Sequence, residues 1–486
     1  MFDWAKYTDE GWYGNAAARA HLFGNWYVAG DFNPATAVPV WPLAEWLLYF
    51  VTGVSVEAAR GLAVACFCAS LALGYLLVRV SGSRWMALLA VTLAVTSPFL
   101  YCFCRLAILE PLQTTLTLAV LNLALRLPKR KRPLLGSAWI GLLFALMMLT
   151  KTTALFLAPA VGWAILAPLW ERKRLAMKCE LVALLNAAAV YGVWIAVVAI
   201  RGLMVDYKYF FLVNKYEKPA GLKWPLVSFW WSLHGLLWVD HSLVLLASAV
   251  AVGAAMAWRS AWGKTLWRDP LFVCSLCAIG GYVLFMTLQN HPQPRYFAVP
   301  AFFCFVVVAL GAGTLVERAG WMKAAGGAVL AVAVAAAGVH GARTIGYAVH
   351  PEYTFVNAAA ELAQYIDAHP NGNRLLVSIS GDELTFLTHL PALCDDFGTE
   401  DLAAKLARYR PRWYAAWNDM DPGTLLDLHM NDSVEQVATF RAFDDPDRNL
   451  LVLFELHPLP AGTERDPDDP AMRAPLPGDT INVPME

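Results

Sequence analysis

Charge is what this sequence has least of. Asp, Glu, Lys and Arg make up 15% of its 486 residues, where soluble domains carry about 25%. A soluble surface of that size cannot be covered so thinly, which excludes a cytosolic enzyme. A disordered chain is excluded as well, since that needs high net charge and few apolar residues. Neither sign is in surplus: 37 Lys and Arg stand against 38 Asp and Glu. That balance removes any compositional case for nucleic acid. A disulfide framework is missing too. Of nine cysteines, Cys66, Cys68, Cys102, Cys104, Cys274, Cys277 and Cys304 lie within or beside apolar runs, and Cys179 opens another. Only Cys394 falls in the later polar region. The Cys274-x-x-Cys277 spacing has the form of a redox or zinc pair, but in mid-helix it reads as packing.

What is present in excess is apolar sequence, 58% of the chain, gathered into runs of about 20 residues, the length that crosses a hydrocarbon core. Ten spans can be drawn, at 57–79, 84–103, 107–126, 134–150, 152–170, 179–200, 236–258, 270–289, 296–316 and 321–340. Basic connections fall after every second span: Arg79 to Arg84, Lys129 to Arg132, Arg172 to Lys178, Arg259 to Arg268, and Arg318 to Lys323. Because Lys and Arg are retained in the cytoplasm, all five loops lie on that side. The opposite side receives 1–56, the 105–110 turn, the Lys151 turn, the 201–235 and 289–296 loops, and everything after 341. Trp224, Trp230, Trp231 and Trp238 sit near span ends, as interfacial aromatics do. Residues 1–15 hold no apolar run, yet parity places them outside: either a short tail is translocated with the first hairpin, or, as the favoured expectation, a span precedes them.

Four regions follow: a first external loop (1–56), a transmembrane domain (57–345), an extracytoplasmic α/β domain (346–460) and a Pro-rich tail (461–486) expected to be disordered. The expected fold is mainly α, polytopic and transmembrane, with a small C-terminal α/β domain. In that domain helices are expected at 354–369 and 402–409, and strands at 374–379, 412–417, 434–443 and 450–456.

Candidate chemistry lies on the outer side. The first loop reads Tyr7-Thr8-Asp9-Glu10-Gly11-Trp12-Tyr13-Gly14-Asn15-Ala16-Ala17-Ala18-Arg19. Adjacent carboxylates there can simply open a helix, favoured by its dipole. Asn33-Pro34 follows, then an apolar run at 43–51 that is too short to span and suits the interface. Arg105 and Glu110 flank the second outer turn, as a salt bridge closing it or as a site. Lys151, in Leu149-Thr150-Lys151-Thr152-Thr153, either snorkels to water or serves an anion. Gln289-Asn290-His291-Pro292-Gln293-Pro294-Arg295-Tyr296 places a guanidinium at the mouth of a span, as an anchor or a phosphate ligand. In the 201–235 loop, the aromatics beside Lys208 and Lys215 allow a lid or a static surface. His234, Asp240 and His241 lie near enough in sequence to raise a metal site.

The ordered set of Asp-Glu, an aromatic-Gly-Asn-Ala-Ala helix, Asn-Pro and a horizontal helix resembles the C-type membrane glycosyltransferase superfamily. Protein O-mannosyltransferases and lipid A aminoarabinose transferases are among its members. The resemblance runs from residue 7 to about 300. It implies a polyprenyl-phosphate sugar as donor and a lipid, protein or glycan as acceptor, within membrane lipid and without nucleic acid. It implies Asp9 as base, Glu10 and Glu110 as further acidic site residues (many relatives have Asp at the latter position), and Arg105, Lys151, Arg295, Tyr296 and His291 at the donor phosphate. The expected reaction is inverting single displacement, with no cofactor required and a divalent cation optional. The expected location is the inner (plasma) membrane, with the site and the C-terminal domain extracytoplasmic. Two rivals stand beside it. A transporter or flippase would put its polar groups near the midplane of the spans. A non-catalytic scaffold would leave the outward set of charged residues without a purpose.

Overall fold

The computed structural model describes residues 9–213, 223–289, 293–350 and 354–473, except 371, 396, 419, 446–447, 461–462 and 464. Two helices come first, α1 (Asp9–Phe23) and α2 (Val40–Thr52). The apolar region then runs through α3 (Val56–Ser81), α4 (Arg84–Thr96), α5 (Pro98–Cys104), α6 (Leu109–Leu125), α7 (Pro133–Thr150), α8 (Ala158–Leu166) and α9 (Lys173–Ile200). After the short α10 (Met204–Lys208) come α11 (Trp224–Leu236), α12 (His241–Met256), α13 (Ala261–Arg268), α14 (Pro270–Gln289), α15 (Ala298–Val316) and α16 (Trp321–Val349). The remainder adds α17 (Thr354–Ala368), β1 (Leu376–Ser378), α18 (Gly381–Thr388), β2 (Ala392–Cys394), α19 (Leu402–Tyr409), β3 (Trp413–Trp417), α20 (Pro422–Asn431), β4 (Asp432–Asp445) and β5 (Arg448–Pro458). These elements form two compact units. A helical unit comprises Arg60–Arg201 and Lys215–His350, and a mixed unit comprises Met1–Ala59, Gly202–Asn214 and Pro351–Glu486.

Among the described residues, six helical stretches are long and apolar enough to cross a membrane, or eight if each of two bent pairs is one span. This is an integral membrane protein. The difference from ten has two sources. Thr152–Ile200 counts as one stretch of 49 residues, although its middle is a 3-10 turn at Ala167–Arg172 followed by Lys173 and Arg174. At 1.5 Å per residue such a stretch is roughly 70 Å long, twice the hydrocarbon thickness. The other source is α6, whose 17 residues reach the short limit for a span. The bent pairs break where the sequence dictates. Ser97 Oγ accepts from Leu100 N ahead of Pro98, and α4 meets α5 at 66°. Asp240 caps α12 through Leu243 N, and α11 meets α12 at 113°.

Helix α15 is the centre of this unit, buried along nearly its whole length, with Phe302, Phe303 and Phe305 fully enclosed. The outer helices reverse the soluble pattern, with Leu181, Leu184, Leu185, Ile200 and Met256 facing outward. Such faces suit acyl chains, against which apolar side chains lose nothing.

The mixed unit is built on a five-stranded sheet of order β2-β1-β3-β5-β4. Strands β1, β2 and β3 are parallel, while β5 runs antiparallel to both β3 and β4. Alternate residues feed two cores, as the period-2 pleat requires. Trp413, Ala415 and Trp417 face α17, and Tyr414 and Ala416 face α19 and α20. Strand β2 and helices α18 and α20 were not foreseen; each is short, and β2 is three residues between polar turns. Part of the segment after 460 has described contacts. Arg465 bonds the carbonyls of His429 and Asp432, and a 3-10 turn at Pro470–Arg473 packs on α20. Residues 474–486 lie outside the described residues.

Within this unit α2 is amphipathic in an inverted sense. Trp41, Glu45 and Tyr49 are buried, while Leu43, Leu47, Phe50 and Val51 are exposed. That arrangement fits a helix lying along a membrane interface with its apolar stripe outward.

Candidate functional site

The site residues fall into a carboxylate set in the mixed unit and a cation set in the helical unit. Asp9 and Glu10 form the first turn of α1 and are almost fully buried, at 4% and 0% exposure. Burying carboxylates is costly unless compensated, and the unpaired N–H groups and partial positive charge of a helix N-terminus supply part of that compensation. The structural alternative, acidic residues opening a helix, is therefore also satisfied in geometry.

Further carboxylates surround this turn. Glu383 Oε2 accepts from Gly11 N at 2.5 Å, and Asp382 Oδ1 accepts from Asn15 Nδ2 at 2.8 Å. Arg19, two turns along α1, donates to Asp31 Oδ2 at 2.7 Å and to Ala392 O at 2.6 Å. Burial works against the charge on Arg19, yet Asp31 and Asp382 outweigh it and raise its pKa. Asp31 is held in turn by Cys394 N at 3.0 Å and Lys405 Nζ at 3.5 Å. Burial pushes the Asp382 carboxyl up to about 6; Asp31 adds to the effect, and Arg19 opposes it. Glu45, fully enclosed under Gly14, is raised well above the usual carboxylate range by burial, with the charges of Glu10 and Glu383 adding to the effect.

The cation set centres on Glu110 in the first turn of α6, 1% exposed. Lys151, at the C-terminal end of α7, bonds Glu110 Oε1 through Nζ. Arg295, on a 3-10 turn that leads into α15, brings Nε to 3.7 Å from the same oxygen. Tyr296 lies beneath both cations, its ring centroid 4.2 Å from Lys151 Nζ and 5.1 Å from Arg295 Cζ. Lys151 is 6% exposed and aimed at Glu110, so the snorkelling alternative gives way. Both cations are nearly dry, and a low local dielectric strengthens the pull of such groups on negative charge. Arg105 ends α5, with Cζ 5.8 Å from the Tyr101 ring centroid. His291 lies outside the described residues.

The proposed metal triad does not assemble. Asp240 caps α12, accepts from Ser242 Oγ at 2.6 Å and pairs with His340 Nε2 at 2.7 Å. Among the described residues no group of three or more His, Cys, Asp or Glu is placed to hold an ion. All nine cysteines are free, and Cys274 Sγ donates to Ala160 O. The start of the 201–235 loop is tied down, with Asp206 Oδ1 accepting from Asn33 and Tyr209 Oη accepting from Gly398 N. Lys215 lies outside the described residues.

Sequence reasoning missed Arg19, Asp31, Glu45, Asp382, Glu383 and Lys405. A signal existed for Arg19, which continues the Gly11–Asn15 spacing of four along one helix face. For the others no local pattern existed, because their partners are brought together only by the tertiary fold.

Residues 34–196, a third of the chain, match the family model described as dolichyl-phosphate-mannose-protein mannosyltransferase. That stretch includes Arg105, Glu110 and Lys151 and excludes Asp9, Glu10 and Arg295. No curated protein sequence matches. Among solved structures, ArnT from Cupriavidus metallidurans bound to undecaprenyl phosphate is 14% identical, covering 92% of this chain and 93% of that one at a TM-score of 0.61. The apo form of the same enzyme is 16% identical, with coverage of 92% and 93% and a TM-score of 0.60. The archaeal oligosaccharyltransferase AglB from Archaeoglobus fulgidus, in complex with an inhibitory peptide and a dolichol-phosphate, is 11% identical, covering 91% of this chain and 70% of that one at 0.54. The fold is thus that of the C-type membrane glycosyltransferases.

Proposed function

We propose that this chain, with a mannosyltransferase-family segment inside a C-type glycosyltransferase fold, moves a sugar from a polyprenyl-phosphate donor to an acceptor hydroxyl or phosphate. The observation that carries this reading is the convergence of two buried cations, Lys151 and Arg295, on Glu110. The ArnT structure with bound undecaprenyl phosphate supports the donor class.

The chemistry is a single displacement. The acceptor oxygen bonds to the anomeric carbon from the face opposite the leaving group, inverting it, and the bond from that carbon to the phosphate oxygen breaks. The electron pair leaves with the polyprenyl phosphate, and the acceptor proton passes to Asp9. Glu10 orients the acceptor. Lys151 and Arg295, with Tyr296 beneath them, hold the donor phosphate and stabilise its charge as it grows; Glu110 fixes these cations. Arg105 serves the same phosphate. Phosphate is already a weak base on leaving, so no general acid is needed. The reaction requires no cofactor, and EDTA leaves turnover intact unless the optional divalent cation is used. The five basic connections on one side support a plasma-membrane protein whose carboxylate set and C-terminal domain are extracytoplasmic.

The test is incubation of the purified protein in nanodiscs with a panel of radiolabelled polyprenyl-phosphate sugars, wild type beside Asp9→Asn. Release or transfer of sugar that depends on Asp9 supports the reading. Folded protein that neither binds nor turns over any donor refutes it.

A further inference from the structure

The last part of the chain has had no role so far, and the contacts of α1 supply one. Gly11, Asn15 and Arg19, four residues apart, lie on one face of α1, and each meets an acceptor from elsewhere in the mixed unit. Glu383 takes the Gly11 N–H at 2.5 Å, Asp382 takes the Asn15 amide at 2.8 Å, and Asp31 takes the Arg19 guanidinium at 2.7 Å. The approach is as close as backbone allows. A Cβ on Gly11 would lie 2.3 Å from Glu383 N. One on Gly381, at the start of α18, would lie 2.0 Å from Leu393 O in β2. Helix α1 is therefore seated on α18, and α18 on the sheet.

These contacts divide the work along the helix. Asn15 and Arg19 hold the second and third turns. Glu383 alone among these three partners reaches the first turn, one residue beyond Glu10, where the backbone N–H groups have no partner within the helix. We infer that Glu383 is a positioning residue: its carboxylate caps the first turn of α1 from outside and so fixes the direction in which Asp9 and Glu10 present their side chains. Its catalytic consequence rests on the proposed function; its structural consequence does not. Helix ends fray when their caps are lost, and small misplacements of a reacting group are costly, of the order of 100-fold for about 1 Å.

The experiment uses the full-length protein in nanodiscs and reads two quantities, backbone hydrogen exchange along α1 and steady-state transfer. Glu383→Ala is expected to raise exchange over 9–14 at least about tenfold while residues 15–23 stay protected. It should lower kcat roughly 10–100-fold, with donor KM within about twofold. Glu383→Gln keeps an oxygen for the Gly11 N–H and should stay within about threefold of wild type by both measures. Glu383→Asp keeps the charge but shortens the reach. It should resemble Glu383→Ala, and it serves as the main variant if the alanine protein does not fold.

Unchanged exchange over 9–14 in Glu383→Ala or Glu383→Asp overturns the inference. So does a Glu383→Gln protein as impaired as Glu383→Ala with α1 still protected, since the charge itself would then be acting. Loosened exchange in a protein whose wild type transfers no sugar sustains the capping role and removes the proposed function instead.

Discussion

Lys151 stands over Tyr296, its ammonium 4.2 Å from the ring centroid, while the same ammonium bonds Glu110. The pair joins a helix end to the turn ahead of α15 and gives Lys151 two reasons to stay in place. Replacing Lys151 by Ala leaves Glu110 with Arg295 alone. Removing one partner of a buried ion pair costs about 3 kcal/mol, so the protein should melt measurably lower in detergent.

Arg295 is expected to govern affinity and Asp9 turnover. Arg295→Ala should weaken binding of undecaprenyl phosphate at least about tenfold, as loss of a hydrogen bond to a charged group does. Arg295→Lys should recover only part of it, because an ammonium lacks the planar fork. Asp9→Asn should bind the same ligand normally and transfer no sugar. Equilibrium binding beside turnover separates the two, and an Asp9→Asn protein with near-normal transfer would remove Asp9 as the base.

Two glycines in helices offer a matched pair. A Cβ on Gly11 meets Glu383 N at 2.3 Å, whereas one on Gly327, in α16, meets nothing within 4 Å. Gly11→Ala should destabilise by about 1–3 kcal/mol through overpacking. Gly327→Ala should be neutral or stabilising by up to about 1 kcal/mol, through helix propensity. Thermal melts of the two variants decide the matter.

Asp382 makes stability depend on pH. Its carboxyl rises from 3.8 to about 6 on burial, so it favours the folded state fully below pH 3.8 and loses that contribution as pH rises through 6. At 1.4 kcal/mol per unit the loss is at most about 3 kcal/mol, shared with Asp31 and Arg19. Asp382→Asn keeps an oxygen for Asn15 and cannot titrate. Its melting temperature should therefore fall less than the wild-type value between about pH 5 and pH 7. Parallel curves would show that Asp382 is not the group responsible.

The membrane character and the order of the apolar helices were legible because a 20-residue apolar run leaves few alternatives. Glu110, Lys151 and Arg295 drew notice for a related reason, each being a charge beside an apolar run, whereas Asp9 and Glu10 did so only through the motif they open. Their partners did not stand out. Glu110 and Lys151 are 41 residues apart, and no local pattern pairs them. Asp382 and Glu383 look like any acidic helix start until the fold lays α1 against them. Short β2 and α18 carry too few residues to establish a period. The bonds of Arg465 to the carbonyls of His429 and Asp432 likewise have no local signal in a Pro-rich segment.

The mixed unit draws on the beginning, middle and end of the chain. During synthesis α1 emerges first, yet the acceptors for Asn15 and Gly11 come more than 360 residues later. Its contact order is accordingly high, and the unit cannot close until the whole helical unit has been translated. Until then α1 waits with Asn15 unpartnered by Asp382 and its first turn uncapped by Glu383. Assembly of the Asp9–Glu10 turn is thus a late event in biogenesis, and a chain cut short before α18 would carry the acidic pair without the surface that seats it.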